Sequence, residues 1–173
     1  MSEQYAHPEM LVSTQWVADH KNDPKIKLLE VDVDTTSYDK GHIPGAIGWN
    51  WQTDLQDRVV RDVVDPRAFA ELCSRSGVNN DDTVILYGDN NNWFAAWALW
   101  QFKYHGHKDV RLMNGGRKKW ELEHREMTTE RPNVERSNYQ IPATDESIRA
   151  YRDEIRKSLG MGTINLIDVR SPD

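Results

Sequence analysis

Thr83-Val84-Ile85-Leu86-Tyr87 is an unbroken apolar run. It shows no alternation, so it offers no face to water. A strand of this kind is covered on both sides. Gly88-Asp89-Asn90-Asn91-Asn92 follows as a polar loop, and Trp93 to Tyr104 is almost wholly apolar at a length that suits a helix. Strand, loop and helix in that order predict a parallel sheet with right-handed crossovers.

The same order recurs along the chain. Ser13 is placed to cap a helix through Trp16-Val17-Ala18 to about Lys21, and Asn22-Asp23-Pro24 breaks it. Ile26 to Val33 reads as a short strand. Asp65-Pro66 starts a helix with Phe69, Leu72 and Cys73 on one face, ending near Gly77. Val110-Arg111-Leu112-Met113 is another strand, and Asn114-Gly115-Gly116 turns the chain into a helix through Trp120. Trp93, Trp97 and Trp100, with Tyr104 one turn on, form a stripe that is expected to face the core.

Beyond Glu126 the texture changes. Met127 to Pro142 is rich in Thr, Glu, Arg and Asn with little periodicity, and is expected to wrap as a linker over residues 127–143 rather than pack. Glu126, Glu130, Arg131, Glu135 and Arg136 read as its solvated face. Thr144 is expected to cap a new helix through Ile148, Tyr151 and Ile155. Leu166-Ile167-Asp168-Val169 echoes Leu28-Leu29-Glu30-Val31, so an internal repeat begins within residues 144–173 and stops after one strand. An isolated strand cannot bury its faces.

Charge and length exclude some functions. The net charge of −6 argues against nucleic acid or an anionic membrane as a partner, since both want a basic face. No apolar run approaches the roughly 18 residues that span a bilayer. The opening Met1-Ser2-Glu3-Gln4 does not read as a signal peptide. Cys73 is the only cysteine and cannot form an internal disulfide, which fits a cytoplasmic setting. Its place on an apolar helix face predicts a buried, inert thiol. His105 and His107 are expected to be surface residues at a helix end, not ligands. No metal or other cofactor is expected.

Tyr38-Asp39-Lys40-Gly41-His42-Ile43-Pro44-Gly45-Ala46 is the most specific string in the chain. It resembles the opening signature of rhodanese domains, with Trp49 where an aliphatic residue is usual. Met113-Asn114-Gly115-Gly116-Arg117-Lys118-Lys119-Trp120 resembles the family's later block, and Leu166 to Asp173 looks like the opening of a second unit. The resemblance covers about Leu11 to Glu126. It implies a three-layer α/β/α fold with a parallel sheet of about five strands. It also implies a rhodanese-like unit over residues 1–126 that opens a tandem thiosulfate sulfurtransferase.

In that family a loop cysteine accepts sulfur from thiosulfate and passes it to cyanide or another thiol. Loop amides and a helix N-terminus lower the thiol pKa. Here Gly88 takes the cysteine's position, so the resemblance implies a noncatalytic unit. Asp89, Asn90, Asn91 and Asn92 complete a degenerate loop, with Asp89 expected to repel thiosulfate at its mouth. The asparagines are expected to satisfy their own loop or cap the next helix. Val33, Asp34 and Trp93 are the candidate wall of the pocket formed with the second unit. Tyr38, His42, Pro44, Gly45, Gly115, Gly116 and Trp120 are structural members of the signature. Partners would be thiosulfate and a sulfur acceptor, through the second unit, and apolar surface beyond Thr144 would favour self-association. Two rivals stand beside this reading. One is a noncatalytic binding or regulatory module on the same fold. The other is a dual-specificity phosphatase, which wants a cysteine and an arginine that Gly88 to Trp93 lack.

Overall fold

A computed structural model describes residues 5–60, 62–162 and 164–169 of the chain. In chain order the elements are β1 (Leu11–Val12), α1 (Thr14–His20), β2 (Ile26–Glu30), α2 (Ser37–Lys40), β3 (Ile47–Gly48), α3 (Trp51–Asp54), α4 (Pro66–Arg75), β4 (Thr83–Tyr87), α5 (Trp93–Tyr104), β5 (Val110–Met113), α6 (Gly116–Leu122) and α7 (Arg152–Ser158). The five strands form one sheet in the order β1-β5-β4-β2-β3, and every pairing is parallel. The expected three-layer rhodanese-like α/β fold is therefore present.

β4 shows why an unbroken apolar run was needed. Val84 and Leu86 enter one core with Phe69 and Leu72 of α4 and Ala95, Ala98 and Phe102 of α5. Ile85 and Tyr87 enter the other with Val17 of α1 and Trp120 of α6. All four strand residues are fully buried. Burial of each such side chain stabilises by about 1.5–3 kcal/mol.

Local signals set several helix starts. The Ser13 hydroxyl accepts the Trp16 amide at 3.0 Å, which caps α1. The Asp65 carboxylate accepts the amides of Arg67 and Ala68 at 2.8 and 3.0 Å, with Pro66 at the first position of α4.

Of the aromatic stripe of α5, Tyr104 is buried and Trp97 packs on the edge of the core, but the tryptophans do not form the face that meets the sheet. Ala95, Ala98, Gln101, Phe102 and Tyr104 are the buried residues of α5. Small residues let the helix approach the strands closely, so the tryptophans are turned outward. Trp93 is 66% exposed, and Trp97 and Trp100 are partly covered. His105 and His107 are the opposite surprise. Both are buried, His105 stacked on Phe69 at 4.3 Å and His107 bonded to the Tyr139 hydroxyl at 3.0 Å. Burial holds the His105 ring down at about 4, below its ordinary value.

The segment after Glu126 packs as well as wraps. His42 and Thr128 exchange backbone bonds of 2.8 Å, and Tyr139 enters the core at 2% exposure. Arg131 and Arg136 do lie on the surface, paired with Asp39 and Glu71. The long helix expected from Thr144 is two short pieces instead. A 3-10 turn (Glu146–Ile148) is capped by Asp145, and α7 follows Tyr151. The turn is docked on α5. The Trp100 indole donates to the Ile148 carbonyl at 3.3 Å, and the Tyr104 hydroxyl bonds Glu146 at 2.8 Å. Arg149 reaches Asp62 at 2.6 Å. Leu166, Ile167 and Val169 form no strand and are exposed. Arg170 to Asp173, the rest of the repeated opening, lie outside the described residues. No helix among the described residues is long and apolar enough to cross a membrane.

Candidate functional site

The site of interest lies where the chain leaves the C-terminal ends of β2 and β4. Glu30 and Tyr87 are the last residues of those strands and are paired in register. The Tyr87 hydroxyl donates to the Glu30 carboxylate and accepts the Ile43 amide at 3.0 Å. Arg117 of α6 donates to the other Glu30 oxygen, and its Nε donates to Glu121 at 2.9 Å. Glu30 is 1% exposed, so this guanidinium keeps a buried carboxylate compensated.

The signature string builds the floor beside it. The Tyr38 and His42 rings stack at 3.8 Å, and the Tyr38 hydroxyl donates to the Ala46 carbonyl at 2.7 Å. The His42 ring nitrogens lie 2.9 Å from the Tyr38 carbonyl and 3.1 Å from that of Glu130. His42 thus fixes the turn and ties the linker to it. Gly45, at φ +86°, completes the turn after Pro44 in a conformation other residues resist. Trp49, unusual for the signature, is buried and donates its indole N–H to Ser76 at 2.8 Å. Trp120 is buried too and donates to the Glu126 carbonyl at 2.9 Å.

The loop Gly88 to Asn92 is filled by its own side chain. The Gly88 amide donates to the Asn92 side-chain oxygen at 3.0 Å, and the Asn92 side-chain nitrogen donates to the Met113 carbonyl at 2.8 Å. Asn90, Asn91 and Asn92 all have positive φ, at 41°, 58° and 64°. Asparagine tolerates that region better than other residues with a side chain. Asn92 therefore satisfies the loop, as one of the expected readings held, although its side chain does not cap α5. Gly115 and Gly116 bring the next turn against this loop. A Cβ on Gly116 would fall 2.4 Å from the Asn92 oxygen.

Asp89 does not stand free at the loop's mouth. Its carboxylate accepts the Val33 amide at 2.6 Å and the Asp34 amide at 3.1 Å. Its own amide donates to Asp32 at 2.8 Å. Asp34 is held below the usual carboxylate range, chiefly by its bond to Lys40 at 2.9 Å. Asp32 is buried, and burial together with the neighbouring Glu30 pushes its carboxyl up to about 8. A cavity of about 170 Å³ opens beneath, lined by Glu30, Asp32, Tyr38, Asp39, Trp49 and Arg131 among others. A larger cavity, about 410 Å³, lies at the other end of the sheet beside Lys27 and the linker.

The residues proposed for a pocket wall share one rim. Trp93 stacks on Phe94 with centroids 6.0 Å apart, and Phe94 stacks on Trp51 at 4.0 Å. The Trp51 indole donates to the Val33 carbonyl at 3.3 Å. Val33, Asp34 and Trp93 are thus joined through Asp89 and this ring stack. Sequence reading missed Trp51, Asp32, Glu30 and Arg117. No local signal singled out Trp51, since no periodicity links it to α5.

Gly88 supplies no nucleophile, and a Cβ there would collide with the Val31 carbonyl. Cys73 is buried in the apolar core, which raises its thiol well above its ordinary value. Among the described residues no cluster of His, Cys, Asp and Glu suits a metal ion.

The chain is 57% identical over 173 residues to "Sulfur carrier protein TtuD" of Thermus thermophilus, covering 97% of this chain and 60% of that protein. It is 55% identical over 165 residues to a Saccharopolyspora erythraea protein named "Putative thiosulfate sulfurtransferase", covering 95% of this chain and 58% of that one. The chain thus spans about 60% of the length of these curated relatives. Among solved structures it superposes on SseA from Escherichia coli, described as a 3-mercaptopyruvate sulfotransferase, with a TM-score of 0.78 at 21% identity. That match covers 86% of this chain and 61% of SseA, and at such identity it speaks to the fold alone. Residues 13–123 match the family described as "Rhodanese-like domain". With the Tyr38–His42 turn, the Gly115-Gly116 turn and the five-stranded parallel sheet all in place, the chain belongs to the rhodanese-like domain family.

Proposed function

We propose that this chain is the noncatalytic rhodanese unit of a tandem sulfurtransferase whose cysteine lies on a second unit. In that reaction a cysteine thiolate attacks the outer sulfur of thiosulfate. The S–S bond of the donor breaks, sulfite leaves with its electron pair, and a cysteine persulfide remains. Cyanide or a thiolate then takes the outer sulfur and regenerates the thiolate. The observation that carries the reading is Gly88, which has neither a thiol nor space for one.

Residues 1–126 form the unit, 127–143 the linker, and 144–173 lead into the second unit. The relatives' greater length supports this division, as do the exposed apolar side chains of Leu166, Ile167 and Val169. Docking of Glu146 on α5 and the pairing of Arg149 with Asp62 would hold the connection at a defined angle. Val33, Asp34 and Trp93 then wall the catalytic pocket, where exclusion of water protects a persulfide from hydrolysis. The exposed ring of Trp93 would serve equally well in the rival reading, a binding module for a protein partner.

Intact-mass analysis after incubation with thiosulfate tests the assignment. This chain should remain unmodified, while a protein that continues into a second, cysteine-bearing unit should gain one sulfur and yield thiocyanate with cyanide. A one-sulfur adduct on this chain alone would overturn the reading. A longer protein without transfer activity would favour the binding module.

A further inference from the structure

The start of β2 has a bare edge. β3 pairs only with Leu29 and Glu30, so residues 26–28 have no strand on that side. An edge of this kind leaves backbone polar groups without ladder partners. The linker faces it instead, across the cavity of about 410 Å³. Small-molecule sites are commonly of that size.

The linker is fixed over this space. Upstream, Thr128 exchanges backbone bonds with His42; downstream, the Ser137 amide donates to the Ser74 carbonyl at 2.9 Å. Between these ties Val134 and Glu135 press on Gly77. A Cβ there would fall 2.4 Å from the Val134 side chain and 2.8 Å from the Glu135 carbonyl. Bonded and close-packed neighbours thus hold the cavity open.

Its charge is unlike that of the chain. Lys21, Lys27 and Arg136 line it against Glu135 alone, in a protein of net charge −6. Arg136 is held by Glu71 at 2.6 Å. The two lysines have no such partner. Their side chains are only 16% and 24% exposed. Among the described residues, the Lys21 ammonium comes no nearer to a carboxylate than 4.0 Å, at Glu126, and that of Lys27 no nearer than 3.9 Å, at Asp82. Lys27 donates to the Pro24 carbonyl at 3.1 Å, which leaves further N–H groups on the same nitrogen. Asp82 is engaged elsewhere. It accepts the Asn79 amide and side chain at 2.7 and 3.1 Å, and Lys25 lies as near to it as Lys27 does. Ser76 adds a neutral donor, 4% exposed on the same lining. Its hydroxyl accepts the Trp49 indole N–H at 2.8 Å, and among the described residues nothing accepts its own proton.

We propose that this cavity binds a small dianion, an inorganic oxyanion or a dicarboxylate, between Lys21 and Lys27, with the Ser76 hydroxyl as a third donor. Two sheltered ammonium groups without a hydrogen-bonded carboxylate call for two negative charges, and hydrogen bonds between ions are the strong ones. The site lies at the opposite end of the sheet from the loops after β2 and β4, and it does not depend on the sulfur-transfer reading. Because the linker closes the cavity, a bound anion fastens linker to strand and stabilises the fold.

Sulfate and succinate distinguish the two ligand shapes. Titrated into this chain at constant ionic strength, one of them should bind saturably at one site by calorimetry and raise the Tm. Amide NMR should place the largest shifts at Leu28, Ser76 and Gly77. Lys21→Met and Lys27→Met keep the apolar stems, and each should weaken binding about tenfold or more through loss of a charge-assisted hydrogen bond. Lys118→Met, exposed on α6, should bind as the wild type does. The wild-type NMR shifts decide the matter even where a lysine variant does not fold. Binding of neither anion, shifts away from these residues, or an equal loss in Lys118→Met would overturn the site and leave an adventitious ion only.

Discussion

Gly88 stands directly against the carbonyl of Val31. A Cβ at position 88 would lie 2.2 Å from the Val31 oxygen and 2.9 Å from its carbon. The neighbour is backbone just past the end of β2, held by the Val31 amide's bond to the Tyr87 carbonyl at 2.9 Å, and cannot swing away as a side chain would. The lack of a nucleophile is therefore built into the spacing of the loops that follow β2 and β4, and is more than the choice of one residue.

Introducing a thiol at position 88 should consequently fail for steric reasons. Gly88→Cys and Gly88→Ala should both lose stability, by about 2 kcal/mol or more, in line with overpacking of a close-packed interior. Urea denaturation of the two variants measures this. Gly88→Cys should also acquire no persulfide from thiosulfate. A stable variant that carries sulfur would show that the loop moves aside at little cost.

Trp93→Ala separates rim from core. The ring is 66% exposed and touches Phe94 at a centroid distance of 6.0 Å, so its loss should cost under about 1 kcal/mol of stability. In a protein that contains the second unit, the same change should raise KM for thiosulfate or shorten the lifetime of the persulfide. Unchanged kinetics would remove Trp93 from the pocket wall.

Asp32 leaves a signature in the pH dependence of stability. Its folded pKa is raised to about 8 from an ordinary 3.8. Between those values the folded chain holds a proton that the unfolded chain has released. Stability from this group is thus full at low pH and falls as pH rises, then levels above 8. The stability of Asp32→Asn relative to wild type should therefore grow from about pH 4 to about pH 8, by at most about 1.4 kcal/mol per pH unit. Chemical denaturation at a series of pH values gives that difference. A constant difference would mean that Asp32 is ionised in the fold.

Cys73 should be silent. Its thiol is fully buried and raised well above the ordinary value by that burial. Alkylating reagents should leave it unmodified in the native chain and modify it once the chain is unfolded. Cys73→Ala should leave sulfur transfer by the longer protein unchanged. Rapid native labelling would show that α4 opens far more readily than its packing implies.

The alternation of elements, the β4 strand, the caps at Ser13 and Asp65 and the signature turns were legible in the sequence because each depends on near neighbours. β4 demanded cover on both faces, and the positive-φ turn at Gly45 and the caps use residues within a few positions of one another. Glycine at position 88 was legible for the same reason, since a residue's chemistry travels with its name. The direction of α5 was not. A helix apolar on every side has no polar face to betray its orientation, and only contact with the sheet chose the alanines over the tryptophans. His105 and His107 were misplaced because Phe69 and Tyr139, which cover them, come from distant parts of the chain. The clasp of Asp32, Asp89 and Val33 and the pairing of Glu30 with Arg117 likewise join segments with no local signal between them. Steric exclusion at Gly88 belongs here too, because the distance from one strand's end to the next is a property of the assembled sheet alone.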